Sequence, residues 1–306
     1  MSLFIRYFKR YFSEDFNLPR HIAFFLFIGA CIWANYEFNI YAKYFRVNSQ
    51  SIIQVAKLWS MYLFAFFISI LILGEFSIKQ KPKLLYFTFG AIGLFFVALD
   101  SSYYVLKLLR NVGDSIQWNR FTYSCISNLV SLFTIVIPLF ILYGLNKKFR
   151  PELYGLHLNG AKIRPYIWLI LMMAPIVFFS AYLDPDFLAY YPSYDSKSVE
   201  SSGIPSNLAV LLYEFCYGFD FFSVELMFRG FLIVALSKLV GRKAILPMVA
   251  CYAFLHFGKP MWETIGSVFG GFGLGILAYE SKNIYGGLIV HLGVAWGMEI
   301  VAFLLS

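Results

Sequence analysis

The chain has 306 residues, of which 60% are hydrophobic and 14% are charged, and its formal net charge is +8. Soluble domains average about 45–50% apolar and about 25% charged residues, so this composition excludes an ordinary soluble domain and predicts an integral membrane protein. The positive charge does not indicate a nucleic-acid partner, because Lys and Arg stand in short clusters between apolar runs. Such clusters are typical of membrane topology and of contact with anionic membrane lipid.

The predicted elements are membrane helices, since a helix needs about 20 mostly apolar residues to cross a bilayer. The first apolar run begins near His21 and is too long for a signal peptide, so we expect it to stay in the protein. The candidate spans, in chain order, are 22–42, 52–74, 84–106, 123–145, 165–183, 207–239, 244–257, 264–280 and 284–304. The sixth is long enough for one tilted helix or a broken pair, and the next two are short. We therefore predict an all-α fold, a polytopic membrane bundle of eight or nine transmembrane helices.

The distribution of cations predicts that the N-terminus lies in the cytoplasm, because Lys and Arg concentrate in cytoplasmic loops. With this orientation, most of the loop cations are inside. The outside loops then hold only Lys43, Arg46, Lys107, Arg110, Arg120, Lys197 and Lys259. The segment 184–206, which is acidic, also lies outside. We expect a multi-pass protein of the cell membrane, and specifically of the inner membrane of a bacterium.

The character of the sequence changes near residue 200. The first five spans are bulky and contain few charges, whereas the last hundred residues bring ionisable groups and many glycines, which let helices approach closely in lipid. We therefore predict two parts. Residues 1–200 form an N-terminal transmembrane extension of about five helices, and residues 201–306 form a tightly packed polar core.

The core contains ionisable groups at membrane depth, where each costs about 2.5–3.5 kcal/mol on insertion scales and is tolerated when paired or facing a cavity. Glu225 and Arg229 stand four residues apart and share a helix face, so they can form an ion pair. His256 ends a short apolar run and His291 lies inside the last one. The ion pair alone, or either histidine alone, is compatible with a purely structural role. Together on three successive helices, they indicate a functional site.

Two further acids are candidate members of this site. Glu263 follows a Gly- and Pro-interrupted stretch and either faces the site or caps the start of the next helix, where an acid suits the helix dipole. Glu299 stands eight residues after His291 and either lines the same cavity or reaches solvent.

Three short motifs in this region resemble the CAAX prenyl-protease and bacteriocin-processing family, often called CPBP or ABI proteins, which are intramembrane endopeptidases. The family motif EExxxR is present as VELMFRG (224–230), FxxxH as YAFLH (252–256), and HxxxN or HxxxD as HLGVA (291–295). Their order and separation fit the family as well. The resemblance covers residues 205–306.

The resemblance implies that a glutamate activates water and that histidine stabilises the oxyanion, with Glu225, Arg229, His256, His291, Glu263 and Glu299 as the candidate catalytic residues. Arg229 would hold Glu225 ionised, and the second histidine would position water or protonate the leaving amine. Two positions depart from the family, since its first glutamate is Val224 here and its third-motif Asn or Asp is Ala295. Another carboxylate could replace Val224, with Glu263 and Glu299 the obvious donors and Asp220 a weaker one.

The expected substrate is a membrane-associated peptide or protein, and membrane lipid is the other expected partner. The family resemblance favours a mechanism without a cofactor. The alternative is a zinc ion bound by His256, His291 and a glutamate, which would supply the three protein ligands of a catalytic site. The two departures leave a second functional hypothesis open, a catalytically inactive scaffold or binding protein with the same fold. A channel or transporter is a third, but the chain shows no internal repeat.

Overall fold

A computed structural model describes residues 2–46, 51–74, 79–112, 120–146, 153–157, 163–183, 185–193 and 204–305. Every regular element in these ranges is helical, which confirms the predicted all-α fold. Seven of the described helices are long and apolar enough to cross a membrane, by length and composition. Part of the predicted outside loop 184–206, and several predicted cytoplasmic cations between 147 and 162, lie outside the described residues.

The helices are numbered here in chain order. The N-terminal ones are α1 (Ser2–Glu14), α2 (Leu18–Phe38), α3 (Ile52–Ile72), α4 (Lys81–Ser101), α5 (Tyr104–Val112), α6 (Arg120–Leu129), α7 (Ile137–Leu145), α8 (Arg164–Leu183) and α9 (Pro185–Tyr190). The C-terminal ones are α10 (Ser206–Glu225), α11 (Ser237–Val240), α12 (Ile245–Leu255), α13 (Met261–Ser281) and α14 (Tyr285–Leu305). Short π-helical segments at Tyr41–Phe45, Leu132–Val136 and Leu226–Ala235 interrupt or extend this series.

The sixth predicted span forms one helical run from 206 to 240 instead of a broken pair. Its first part is α10, and the run then widens into the π-helical segment Leu226–Ala235. π-Helical turns are rare in proteins, and those that occur often lie at functional sites. Here the segment begins immediately after Glu225 and contains Arg229, so it holds both charges in the buried centre of the bundle.

The seventh predicted span is too short to cross a membrane. Helix α12 has 11 residues, about 16 Å at 1.5 Å per residue, against a hydrocarbon core of about 30 Å. Residues Ile245–Phe254 are all buried, and α12 packs against both α3 and α13. A helix that is apolar on every face is typical of one surrounded by other helices. The helix therefore ends in the interior of the protein and places His256 there.

The N-terminal and C-terminal helices share one hydrophobic core. It contains Phe24 of α2, Leu58 of α3 and Leu94 of α4 together with Val249 of α12 and Ile276 of α13. The two parts predicted on either side of residue 200 are therefore in direct contact, and the N-terminal helices form the wall against which the polar core packs.

Close contact between α8 and α14 completes the bundle on the other side. A Cβ atom at Gly286 would overlap the ring of Tyr166, and one at Gly293 would lie 2.5 Å from Ile170 Cδ1. The two helices can approach this closely only because α14 carries glycine at both positions, as small residues allow in membrane bundles.

Candidate active site

Glu225 and Arg229 form a fully buried ion pair at the junction of α10 and the π-helical segment. Arg229 Nη1 lies 2.8 Å from Glu225 Oε1, and neither side chain is exposed. Removing two charges from water costs several kcal/mol per ion, so each charge needs the other. The predicted ion pair is present, and it anchors the rest of the site.

His291 of α14 contacts the same carboxylate. Its Nδ1 lies 3.1 Å from Glu225 Oε1. An ionised carboxylate can only accept hydrogen bonds, so Nδ1 carries the proton and Nε2 of the neutral ring is left as an acceptor. One turn earlier, a Cβ atom at Gly287 would overlap Glu225 Oε2, so glycine is required for α14 to approach the buried acid.

Tyr252 of α12 contacts both His291 and Arg229, and it is not among the site residues predicted from the sequence. Its hydroxyl oxygen lies 3.2 Å from His291 Nε2, and its ring lies under the Arg229 guanidinium, with 4.3 Å from Cζ to the ring centroid. Since Nε2 is the acceptor, the phenol donates this bond. The result is a continuous chain Glu225–His291–Tyr252. The signal in the sequence was the tyrosine at the phenylalanine position of FxxxH.

His256 caps the C-terminal end of α12 beside Tyr252, with 4.6 Å between the two ring centroids. Its Nδ1 lies 2.8 Å from the carbonyl oxygen of Tyr252, which can only accept, so Nδ1 is the donor and Nε2 is free to accept. The hydroxyl of Thr264 donates to the His256 carbonyl oxygen at 2.7 Å and fixes the turn. Both predicted histidines therefore present an acceptor nitrogen.

These side chains face a cavity of about 350 Å³ between α8, α13 and α14. Its polar lining consists mainly of Arg229, Tyr252, His256, Lys259, Glu263 and His291. Glu225 lies behind this wall and contacts the cavity through His291. His256 and His291 thus line the same cavity, and Glu225 lies one layer deeper, in contact with His291.

The two additional acids have different surroundings. Glu263 lines the cavity, where it bonds to Lys259 Nζ at 2.6 Å and accepts a hydrogen bond from the Tyr191 hydroxyl at 2.9 Å. Glu299 accepts hydrogen bonds from the backbone N–H and the hydroxyl of Ser193. The catalytic role of each acid remains a prediction, but only Glu263 has its carboxylate on the lining described above.

The two departures from the family motifs also differ in position. Val224 packs against the main hydrophobic core. Ala295 lies on the cavity wall, four residues after His291, where it leaves an apolar surface in place of an amide.

The described side chains do not fit a zinc site. Zinc at a catalytic site takes three protein ligands. No group of three or more His, Cys, Asp or Glu side chains in the described part of the chain lies close enough together to hold a metal ion. A reaction without a cofactor remains a prediction.

Comparison with known families finds a match for residues 207–297, to the family described as Rce1-like, type II CAAX prenyl endopeptidase. This segment contains Glu225, Arg229, Tyr252, His256 and His291, and the match confirms the family resemblance of the C-terminal part. Comparison with curated proteins and with solved structures gave no match.

Proposed function

We propose that this multi-pass membrane protein, whose residues 207–297 match a CAAX-peptidase family, is an intramembrane endopeptidase that hydrolyses a peptide bond of a membrane-associated protein or peptide. The observation that carries the proposal is the buried chain from Glu225 through His291 to Tyr252, which ends at the cavity. Costly polar groups in an apolar interior are typical of functional sites in membrane proteins.

Water activation is assigned to the Glu225–His291 pair. The carboxylate holds Nδ1 protonated. When the Tyr252 hydroxyl turns from Nε2 towards the bound substrate, Nε2 can take a proton from a water molecule in the cavity as the hydroxide attacks the scissile carbonyl carbon. The resulting imidazolium is stabilised by Glu225 and returns the proton to the leaving amine. This follows the carboxylate–histidine arrangement that other hydrolases use. The glutamate thus activates the water through histidine.

The developing oxyanion needs hydrogen-bond donors on the cavity wall, because preorganised donors in a water-poor site stabilise it strongly. The Tyr252 hydroxyl, once it has turned from His291 Nε2 to the substrate oxygen, supplies such a donor. Arg229 is fully buried and pairs with Glu225, so its positive charge favours the oxyanion without contacting it. His256, with its acceptor Nε2 beside Tyr252, positions the water.

The shape of the cavity fits an extended substrate. Its lining follows α13 from Glu263 to Leu277, a rise of about 21 Å at 1.5 Å per residue. Gly266, Gly270 and Gly273 lie along this wall and leave room for a peptide backbone. A slot of this length accommodates several residues of an extended chain, as an endopeptidase requires.

A catalytically inactive scaffold of the same fold is the second candidate. The observation in its favour is that Val224 and Ala295 carry no polar group where the family motifs have one. In that case the cavity would bind a membrane-embedded segment without cutting it.

Hydrolysis can be tested without knowing the substrate. Purified full-length protein in proteoliposomes is incubated with a membrane-peptide library in H₂¹⁸O, and new carboxyl termini that carry ¹⁸O are counted by mass spectrometry. The wild type should produce them, whereas His291→Gln should lower the yield by at least about 100-fold.

His157→Gln is the matched control, since it makes the same replacement in the described segment 153–157, away from the cavity lining, and should retain activity. Peptides that bind saturably to the wild type and are never cut would overturn the peptidase proposal and leave the scaffold.

A further inference from the structure

The amphipathic helix α1 is attached to the bundle at both of its ends. Near its N-terminal end, the ring of Phe4 packs edge-on against Tyr166 of α8, with 4.9 Å between the centroids. Near its C-terminal end, Arg242 binds Glu14 and Asp15. Between these attachments, Tyr11 packs against Phe272 of α13, and a groove remains between α1 and α8.

A groove of about 1020 Å³ separates α1 from the first turns of α8. Its walls are apolar and formed by Phe4, Ile5, Phe8, Phe12, Pro165, Trp168, Leu169 and Met172. Its remaining lining residues are Arg6, Lys9, Arg10 and Ser13, and the described lining contains no carboxylate. Arg10 is paired with Glu14 and Glu280. Arg6 and Lys9 form no ion pair with any other residue that the structure describes.

The groove lies where the headgroups of a bilayer would be. Helix α8 is a candidate span that begins at Arg164, on the predicted cytoplasmic side. The groove follows α8 from Pro165 to Met172, about 10 Å of helix, which leads from the interface into the hydrocarbon region. Trp168 is 60% exposed in this stretch and Met172 61%.

We propose that this groove binds an anionic phospholipid, with the headgroup phosphate held by Arg6 and Lys9 and an acyl chain lying along Trp168, Leu169 and Met172. Charge complementarity selects the ligand, because each cation near the membrane surface favours anionic over zwitterionic lipid. The apolar walls match the acyl chain.

The bound lipid would contact the wall of the catalytic cavity. Phe4, Phe8 and Leu169 line both the groove and the cavity, so a single layer of side chains separates them. An acyl chain in the groove supports this layer from the outside. The lipid site goes beyond the proposed peptidase function and is tested without any measurement of hydrolysis.

The test uses the full-length protein in nanodiscs and quenching of tryptophan fluorescence by lipids with brominated acyl chains. The chain has six tryptophans, so the contribution of Trp168 is the difference between the wild type and Trp168→Phe. Brominated phosphatidylglycerol in a phosphatidylcholine background should quench Trp168 at a mole fraction at least tenfold lower than brominated phosphatidylcholine does. This preference should weaken in high salt.

Arg6→Gln/Lys9→Gln should abolish the preference, whereas Lys79→Gln/Lys81→Gln, with the same loss of charge on the same predicted side, should keep it. Equal quenching by the two lipids would overturn the proposal, as would an equal loss in both double variants. Protection of Trp168 from both lipids would show that a protein segment occupies the groove, which also overturns it.

Discussion

At the scale of single residues, the donor and acceptor capacity of each group determines the hydrogen bonds of the site. The Glu225 carboxylate fixes the tautomer of His291, and the Tyr252 carbonyl oxygen fixes that of His256. Two imidazoles with defined acceptor nitrogens therefore face one cavity. The phenol of Tyr252 is central because it touches His291, His256 and Arg229 at once.

Replacement of Tyr252 by phenylalanine removes one oxygen atom and keeps the ring under Arg229. We expect the turnover number to fall by about 100-fold, as is typical when one oxyanion donor is lost. The imidazole ¹⁵N resonance of His291 Nε2 should also shift, which NMR can assign because the chain has four histidines.

Tyr11→Phe is the control, since Tyr11 makes the same phenol–imidazole contact with His21, at 2.8 Å and outside the site. It should alter only the His21 resonance. An unchanged His291 spectrum in Tyr252→Phe would contradict the hydrogen bond on which the mechanism depends.

The buried ion pair makes a separate prediction about stability. Glu225→Leu leaves the charge of Arg229 uncompensated in the interior and should destabilise the protein by about 3–5 kcal/mol. The double variant Glu225→Leu/Arg229→Met removes both charges and should recover most of this loss. The free energy of unfolding in mixed micelles, measured for both single variants and the double, checks this. Additive losses would show that the two residues are not coupled.

At the scale of elements, two unusual helices create the site. Helix α12 is too short to span and ends inside the protein, so its last turn delivers Tyr252 and His256 to the cavity. The π-helical segment Leu226–Ala235 follows α10 and keeps Glu225 and Arg229 on one buried face. Helix α14 closes the site from the opposite side, and its glycines set how closely it can approach.

Gly287→Ala should disturb this approach, because the added Cβ would overlap Glu225 Oε2. We expect a destabilisation of about 1–3 kcal/mol, the usual cost of overpacking, together with loss of hydrolysis. Gly297→Ala in the same helix is the matched control, since nothing lies within 4 Å of its Cβ. It should be neutral or stabilise by up to about 1 kcal/mol through helix propensity. Thermal unfolding of both variants measures the difference, and equal effects would contradict the close contact.

At the scale of the whole molecule, the N-terminal helix is held to the C-terminal part by charges. Arg242 lies 2.7 Å from Asp15 Oδ2 and 2.7 Å from Glu280 Oε1, and it also binds Glu14. Burial alone would lower the pKa of Arg242, but hydrogen bonds to the three carboxylates raise it. The same hydrogen bond from Arg242 lowers the pKa of Glu14 below its ordinary 4.5. This cluster joins segments of the chain that are more than two hundred residues apart.

Attachment of α1 should therefore depend on pH. Because the pKa of Glu14 is lowered in the folded state, its stabilising effect is complete above the ordinary pKa and is lost as the pH falls through the folded value. Hydrogen exchange of the α1 amides, corrected for intrinsic rates, should accelerate as the pH falls below the ordinary glutamate pKa of 4.5. In Arg242→Gln the same amides should exchange rapidly at every pH. A helix that stays equally protected in both proteins would show that apolar contacts alone hold it.

Composition and periodicity were sufficient for the class of fold and the order of the spans. Apolar runs of about 20 residues can satisfy their backbone hydrogen bonds in lipid only as helices, so the all-α bundle follows from the sequence itself. The pairing of Glu225 with Arg229 follows from a spacing of four residues within one helix. These are local relations, which hold whatever the rest of the chain does.

Only the tertiary structure decided which distant side chains meet. Tyr252 and His291 stand 39 residues apart, and His291 and Glu225 stand 66 apart. Contacts across such separations depend on where α12 ends and on how closely α14 approaches, and both are consequences of packing between helices. The sequence alone could not separate the three candidate acids, because their positions also depend on packing between helices. In the fold, Glu225 lies behind the cavity, Glu263 lies on its wall and Glu299 bonds to Ser193.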